Sequence, residues 1–265
     1  MKNTKIFDAH IHFNDNYKYH EEMIEDMIKE AFDNDVEGFL CASFDLESSI
    51  KSVELAKKYK SIIFSAIAIH PNDVSKNNLE VMKQLENLIL NEEVVAVGET
   101  GLDYFYTKDD IELQKKFFKE HIKLANKYNK VLQIHIRDQV DVYEAYDDVL
   151  EILKESNVKK VIIHCFSANQ EYANKFLNLG CYINIGGAVT FKNAKTLQEA
   201  VKIIPLEKML VETDAPYLTP HPYRGKLNEP KHINLTVKKI AELKNKSKEE
   251  VIQVTTNNAK LIFNI

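Results

Sequence analysis

The stretch KIFDAHIH at positions 5–12 is a short apolar run that ends in two histidines. Similar runs, several of them rich in β-branched residues, recur along the chain, and a longer amphipathic stretch follows each one. They read GFLCASF (38–44), SIIFSAIAIH (61–70), VVAVGE (94–99), VLQIHI (131–136), KVIIHCF (160–166), CYINIGG (181–187) and KMLVETD (208–214). Each run fits a parallel strand that is buried on both faces.

Eight strands alternating with helices favour an α/β fold, a single (β/α)8 TIM-type barrel. An open doubly wound sheet is the alternative, because periodicity alone does not distinguish the two. The 265 residues suit one barrel domain over positions 1–265, since such a barrel takes roughly 250 residues. Two small domains also fit the length.

The segments between the runs carry helical spacing. One of them, at 112–128, places four side chains on one face: Leu113, Phe117, His121 and Leu124. Thr107 with Asp110, and Ser247 with Glu250, resemble capping boxes and predict the starts of two helices.

The composition excludes several classes of protein. With 45% hydrophobic and 28% charged residues, the chain is typical of a folded soluble protein. A net charge of −5 argues against a broad basic surface that coats nucleic acid, although it leaves room for a local phosphate pocket. No apolar segment predicts a signal peptide or a membrane span. We therefore expect a cytoplasmic protein with no membrane association and no obligate protein partner.

Three cysteines occur, in an odd number and without C-x-x-C spacing: Cys41, Cys165 and Cys181. This pattern argues against a disulfide framework or a thiolate zinc site, so all three are predicted to be reduced and mostly buried. Cys165 adjoins His164, and strand alternation predicts that it faces the opposite way, into the core.

Metal-binding residue types gather at the carboxyl ends of the predicted strands. His10 and His12 end the first run, His70 the third, Glu99 the fourth, His135 the fifth, His164 the sixth and Asp214 the eighth. In a barrel these ends meet at one face, where the active sites of such folds lie. Five of the nine histidines fall there.

Each of these residues also has a simpler structural interpretation. His10 and His12 are two apart on a strand and could reach one ion together, but short H-x-H motifs also arise by chance. Glu99 and Asp214 could be salt-bridged or capping carboxylates, and His135 and His164 could be hydrogen-bonded core histidines.

Together, the six residues favour a metal site, because independent core residues should not all fall at strand ends. The predicted ligands are His10, His12, Glu99, His135, His164 and Asp214. A histidine-rich cluster joined by a carboxylate is typical of a two-ion site. Imidazole suits zinc, and carboxylates also accept magnesium or manganese, so the sequence leaves open which of the three ions binds.

Two arginines are candidates to bind phosphate through their planar guanidinium groups. Arg137 lies two residues beyond His135, and Arg224 lies in the segment HPYRGKLNEP at 221–230. A structural ion pair is the alternative for each of them. Lys192 is a weaker candidate, since surface lysines are common.

The chain resembles the TatD-type metal-dependent deoxyribonucleases, a branch of the amidohydrolase-like barrels. The motifs that carry the resemblance span positions 7–263: DAHIH, AIHP, GETGLDY, VLQIHIRD, IHCFSA, GCYINIGGAVTFKNAK, PLEKMLVETDAPYLTP, RGKLNEP and TTNNAKLIF. The resemblance implies a (β/α)-barrel with two divalent ions. His10, His12 and Asp214 would hold one ion, His135 and His164 the other, and Glu99 would bridge them.

The resemblance also implies a 3′–5′ exonuclease-like activity on DNA ends or short oligonucleotides. We expect a water activated between two ions about 3.5–4 Å apart, with Glu99 and Asp214 as the catalytic carboxylates and Asp214 as the acceptor of the water's proton. Arg224, Arg137 and His70 would bind the substrate. The alternatives are an amidohydrolase or esterase acting on a carbonyl, and a protein that binds metal or nucleic acid without turnover.

Overall fold

The computed structural model describes residues 5–106 and 108–265, in which eight parallel strands alternate with helices. The strands are β1 (Ile6–Ile11), β2 (Val36–Cys41), β3 (Ile63–Ile67), β4 (Val94–Asp103), β5 (Val131–Arg137), β6 (Val161–Ile163), β7 (Tyr182–Ile185) and β8 (Met209–Val211). The helices are α1 (Glu21–Asp33), α2 (Leu46–Lys58), α3 (Val81–Leu88), α4 (Ile111–Lys127), α5 (Glu144–Glu155), α6 (Gln170–Asn178), α7 (Lys195–Ile203), α8 (Ile233–Lys244) and α9 (Lys248–Phe263). Among these described segments, no helix has both the length and the apolar character needed to cross a membrane.

The strands form a barrel in sequence order, each hydrogen-bonded to the next. The first and last strands meet just beyond β8, where Ile11 forms a parallel bridge with Ala215. The Asp214 N–H donates to the His10 carbonyl at 3.0 Å, and the His12 N–H donates to the Ala215 carbonyl at 2.8 Å. The predicted (β/α)8 barrel is confirmed, and the open sheet is excluded.

A buried carboxylate reinforces this closure. Asp8 accepts hydrogen bonds from the Thr213 hydroxyl at 2.6 Å, from the Thr213 N–H at 2.9 Å and from the His10 N–H at 3.3 Å. Burial raises the pKa of Asp8 to about 8, although the bonds from Thr213 act in the opposite direction. The same contacts hold β1 beside the segment that follows β8.

Helix α9 covers the amino end of the barrel. The Phe7 ring, near the start of β1, lies 6.0 Å from the Phe263 ring, and the Phe7 N–H donates to the Thr256 hydroxyl at 3.1 Å. Ala259 and Ile262 join the same buried cluster as apolar side chains of the strands. The opposite end, where the strands finish, carries the polar residues and is called the mouth below.

The helix starts agree with the sequence in one of two cases. The Ser247 side chain accepts the Glu250 N–H at 3.0 Å at the start of α9, as predicted. Thr107 lies outside the described residues, and α4 begins only at Ile111, with no side-chain cap from Asp110. The helical spacing at 112–128 agrees with the bounds of α4, and the cap at Thr107 stays a prediction.

Two glycines let β4 approach β5 closely beneath the mouth. A Cβ on Gly98 would lie 2.7 Å from Cβ of Gln133, and one on Gly101 would lie 2.0 Å from the His135 carbonyl oxygen. Gly101 also has a backbone φ of +146°, a value that residues other than glycine rarely adopt. The lack of a side chain at these positions sets the spacing between Glu99 and the residues of β5.

We expect Gly101→Ala to lower the free energy of unfolding by about 2–4 kcal/mol, because the methyl group adds a backbone clash to an unfavourable φ. The matched control is Gly180→Ala, where φ is +83° but nothing lies within 4 Å of the added Cβ. The control should lose only about 1 kcal/mol. Urea unfolding measures both changes, and equal losses would contradict the proposed close contact with β5.

Candidate metal centre

The six residues predicted as metal ligands converge at the mouth. His10 lies in β1 and His12 directly after it, Glu99 lies in β4, His135 in β5, His164 directly after β6, and Asp214 three residues after β8. The closed parallel barrel brings these strand ends together. Residues as far apart in sequence as His10 and Asp214 therefore lie within 4 Å of each other.

The first cluster contains His10, His12, Asp214 and one oxygen of Glu99. The Nε2 atoms of His10 and His12 are 3.0 Å apart. Oδ1 of Asp214 lies 3.6 Å from Nε2 of His10 and 3.3 Å from Nε2 of His12. Oε1 of Glu99 lies 3.8 and 3.4 Å from the same two nitrogens. Four donor atoms thus surround one position.

The second cluster contains His135, His164 and the other oxygen of Glu99. Oε2 of Glu99 lies 3.2 Å from Nδ1 of His135 and 3.2 Å from Nε2 of His164. The two oxygens of a single buried carboxylate therefore face two different pairs of histidines.

In the first cluster, the outer ring nitrogens are fixed by hydrogen-bond acceptors. Nδ1 of His12 donates to the Ala42 carbonyl at 3.0 Å. Nδ1 of His10 pairs with Oε1 of Gln133 at 2.8 Å, and the Gln133 amide donates to the Ala9 carbonyl at 2.9 Å. Because the outer nitrogens carry the protons, both Nε2 atoms present lone pairs to the cluster.

The second cluster uses carboxylates for the same purpose. Nε2 of His135 contacts Oδ2 of Asp103 at 3.0 Å, and Nδ1 of His164 contacts Oε2 of Glu212 at 3.0 Å. Glu212 is fully buried and also accepts the Cys165 N–H at 2.8 Å. A histidine that donates its outer N–H to a carboxylate is the usual arrangement around a protein-bound metal ion.

His70 also reaches the second cluster, but the ring nitrogen that it turns toward the cluster carries a proton. Its Nδ1 accepts the Asn72 N–H at 3.1 Å, so in the neutral ring the proton must lie on Nε2. Burial, followed by the neighbouring His135, lowers the pKa of His70 to about 3, so the ring is neutral. Nε2 lies 3.9 Å from Oε2 of Glu99. His70 therefore presents a hydrogen-bond donor, whereas each of the other four histidines has an inner nitrogen that can give its lone pair to a cation.

Buried carboxyl groups outnumber buried lysines and arginines among the described residues. The buried carboxylates of the described residues are Asp8, Asp15, Glu99, Asp103, Glu212 and Asp214. No lysine or arginine within 5–106 and 108–265 is buried. Burying charged groups without partners of opposite charge is costly, so the positive charge must come from protonated histidines or from a bound cation.

The titration of the cluster follows from this imbalance. Burial acts to raise the pKa of Glu99, but the charge of the His164 imidazole and the hydrogen bonds from His135 and His164 outweigh it and hold that pKa well below its usual value. Burial likewise opposes protonation of His164, yet Glu212 and Glu99 raise the pKa of its imidazole well above the usual value. Glu99 is therefore held as a carboxylate, and the positive charge beside it comes from His164 in the absence of a bound cation.

The donor set fits divalent cations. Oε2 of Glu99 is buried and has no hydrogen-bond partner among the described residues, although two imidazole nitrogens stand beside it. A cation would satisfy this oxygen and the lone pairs that face it. Imidazole nitrogens with carboxylate oxygens suit zinc or manganese, and the carboxylates also accept magnesium.

The predicted substrate-binding arginines both lie on loops or strand ends at the mouth, and neither pairs with a carboxylate in the described ranges. The Arg137 guanidinium lies over Phe105, 4.0 Å from the ring centroid. The Arg224 guanidinium lies over Phe191 at 4.3 Å. The structural ion pair considered for each is therefore absent from this part of the chain. Lys192 is exposed and lines a shallow cavity with Arg224.

The prediction for Cys165 was wrong. Its side chain is partly exposed, and its sulfur lies within 4.8 Å of ligand atoms of His164 and Asp214. Strand β6 ends at Ile163, so strand alternation no longer applies, and Cys165 has φ of +45° in the turn that follows. Cys41 and Cys181 are buried, and all three thiols are free, as predicted.

The outer partners of the histidines were not predicted as site residues. Glu212, Asp103 and Gln133 lie in the motifs VETD, GLDY and QIH, two to four residues from predicted ligands. The sequence does show a polar residue within a buried strand at each position, and such a residue needs a hydrogen-bond partner. The sequence did not reveal that each partner would be an imidazole.

Comparison with known proteins identifies the family. Residues 7–264 match the family model described as "TatD related DNase". The chain belongs to this TatD family. YabD of Bacillus subtilis (strain 168), named as an uncharacterized metal-dependent hydrolase, is 39% identical over 262 residues, covering 98% of this chain and 99% of YabD. YcfH of Escherichia coli (strain K12), named in the same way, is 36% identical and covers 98% of this chain and 96% of YcfH.

A solved TatD structure has the same architecture along nearly the whole chain. The YJJV protein of Escherichia coli K12, described as a TatD homolog, superposes with a TM-score of 0.89 at 26% identity and covers 99% of both chains. The TatD resemblance inferred from the motifs is thus confirmed. The metal-dependent hydrolases among the relatives agree with a cation-binding centre in this TatD protein.

The position of the proton on each histidine ring predicts which variants lose metal affinity. We expect His135→Asn to weaken binding of Mn²⁺ or Zn²⁺ by more than about 100-fold, since losing an outer partner alone costs about 10–100-fold. His70→Asn should leave the affinity near that of the wild type, because Nε2 of His70 carries a proton. Calorimetric titration of chelator-stripped protein measures both, and an equal loss in the two variants would show that His70 is a ligand.

Proposed function

We propose that the protein is a divalent-metal-dependent phosphodiesterase that removes nucleotides from the 3′ ends of single-stranded DNA. One observation carries the proposal: the two oxygens of buried Glu99 face two separate histidine pairs, His10 with His12 and His135 with His164. A shared carboxylate between two nitrogen clusters is the arrangement expected of a two-ion hydrolase. The match to the TatD-related DNase model supports DNA as the substrate.

His10, His12 and Asp214 would hold one ion, and His135 and His164 the second, with Glu99 shared between them. When bound, magnesium, manganese or zinc would supply Lewis-acid charge to a phosphoryl group and lower the pKa of a water molecule. The single domain over 1–265 would then serve one reaction centre at the mouth.

Asp214 is the proposed acceptor of the proton from the attacking water. Its Oδ1 lies 3.3 Å from Nε2 of His12, and its side chain is 11% exposed. It is thus the ligand carboxylate most open to solvent, compared with 7% for Glu99. Glu99 would act by contacting both clusters and fixing the distance between them.

His70 is proposed to donate a hydrogen bond to the substrate. Its neutral ring directs an Nε2–H toward the second cluster and is 12% exposed. A neutral donor can stabilise charge that develops on a phosphoryl oxygen or on the leaving group. Arg137 and Arg224 are the candidates to hold phosphates further along the strand.

We expect chelator-stripped protein to shorten 5′-labelled single-stranded DNA stepwise only after Mg²⁺, Mn²⁺ or Zn²⁺ is added back. Asp214→Asn should lower kcat by about 10²–10⁴-fold, because a positioned general base contributes that much. The matched control is Asp26→Asn on the exposed surface of α1, which should leave kcat unchanged. Product ladders on denaturing gels give the rates.

The same preparations should be offered amide, ester and lactone substrates. If carbonyl compounds are hydrolysed while no metal supports cleavage of DNA, the protein is an amidohydrolase or esterase on the same centre. If metal-loaded protein binds DNA and cleaves neither class of substrate, it is a binding protein, and the proposed activity is wrong.

A further inference from the structure

Arginine is rare in this chain and occurs only at the mouth. Of 35 basic side chains, only Arg137 and Arg224 are arginines. Arg137 is the last residue of β5, and Arg224 lies in the loop between β8 and α8. Lysine is a flexible point charge, whereas the guanidinium is planar, stacks on aromatic faces and grips anions with a fork. In a chain that otherwise uses lysine, these positions indicate a need for a planar cation.

Arg137 lies in a corner formed by two aromatic rings. Its Cζ is 4.0 Å from the centroid of Phe105 and 4.8 Å from that of Tyr106, and Nη1 donates to the Tyr106 hydroxyl at 3.0 Å. The two rings meet at 85°. Tyr106 is 65% exposed, although tyrosine rings usually bury most of their surface. This aromatic corner is open to a ligand.

Arg224 forms a second platform. It stacks on Phe191, and it is exposed on the side away from that ring. The cavity beside it measures about 360 Å³ and is lined by Phe191, Lys192, Asn193, His221 and Arg224. The two loops that build the cavity are joined by the His221 N–H, which donates to the Thr190 hydroxyl at 2.8 Å.

Neither guanidinium is neutralised by a carboxylate. Within the described ranges, the ion pairs are formed by lysines and histidines, for example Lys51 with Glu21 and Lys115 with Asp148. Arg137 and Arg224 take part in none of them. Each therefore keeps its charge and its remaining donors for an anionic ligand, next to an aromatic face.

The two platforms lie at the ends of two strands that also carry proposed metal ligands. Arg137 follows the ligand His135 by two residues. Arg224 lies in the loop that begins at Asp214, and Asn228 anchors that loop by donating to the Thr213 and Tyr217 carbonyls at 2.9 and 2.7 Å. Strands β5 and β8 are three places apart around the eight-stranded barrel. A chain that enters the mouth can therefore contact one platform on each side of the centre.

We propose that Arg137 with Phe105 and Tyr106, and Arg224 with Phe191, are two base-stacking subsites that select an unpaired DNA strand. The inference rests on the proposed function and assigns its strand selectivity to these side chains. Aromatic rings and guanidinium planes stack on bases that are free, whereas the bases of a duplex are stacked on each other. Two local cationic platforms also explain how a chain of net charge −5 could hold a polyanion.

The test measures binding without turnover. Metal-free protein in chelator is titrated against a fluorescent short oligothymidylate and against an abasic oligonucleotide of equal length, with anisotropy as the readout. We expect the wild type to favour the base-bearing strand by about tenfold or more, as stacking on such platforms allows. The double variant Arg137→Lys with Arg224→Lys keeps both charges but should bring this ratio close to one.

Two further variants make the result specific. Phe191→Leu removes a ring while keeping both arginines and should lower the same ratio. Lys123→Ala, an exposed residue on α4 that pairs with Glu120, should leave it at the wild-type value. Thermal unfolding of each variant checks that the fold is retained.

An unchanged ratio in the double variant, no wild-type preference for bases, or equal affinity for the matching duplex would each overturn the subsites. These outcomes are distinct from failure of the proposed function. If the wild type cleaves DNA and the double variant keeps the wild-type affinity ratio, only the subsite proposal is wrong. If the wild type favours the base-bearing strand but hydrolyses no phosphodiester, only the nuclease proposal is wrong.

Discussion

The structure depends on one electrostatic constraint: Glu99 is buried with both carboxylate oxygens enclosed by imidazoles, and no lysine or arginine of the described residues is buried near it. Such a carboxylate is costly unless cations meet it. The outer hydrogen bonds of the histidines follow from the same need, because they leave the inner nitrogen of each of four rings free to bind a cation beside this carboxylate. The site is therefore organised around positive charge that no buried lysine or arginine of the described residues supplies.

The fold and the site share their supports. Asp8 joins β1 to the segment after β8 and so holds His10 beside Asp214. Gly98 and Gly101 let β4 press against β5, which brings Glu99 to His135. Substitutions that loosen the barrel at these points should disturb the centre as well, since they lie directly beneath it. The opposite end, covered by α9, contributes stability without touching the chemistry.

The sequence predicted the barrel and the convergence of the ligand candidates because both depend on periodicity and on strand ends. The sequence did not predict the direction of a side chain that lies in a turn rather than in a strand. Cys165 was placed in the core by strand alternation, but β6 ends at Ile163 and the chain turns there. The partners Glu212 and Gln133 were missed because a sequence shows a polar residue in a strand but not the atom that it meets. The donor polarity of His70 likewise depends on one backbone contact, from Asn72.

The central claim is that two ions share Glu99, and electron paramagnetic resonance of Mn²⁺-loaded protein tests it most directly. The account predicts that two manganese ions bind per chain and are magnetically coupled, and that Glu99→Gln abolishes the coupling while the barrel stays folded. A single ion per chain at saturation, or two ions without coupling in the wild type, would contradict it.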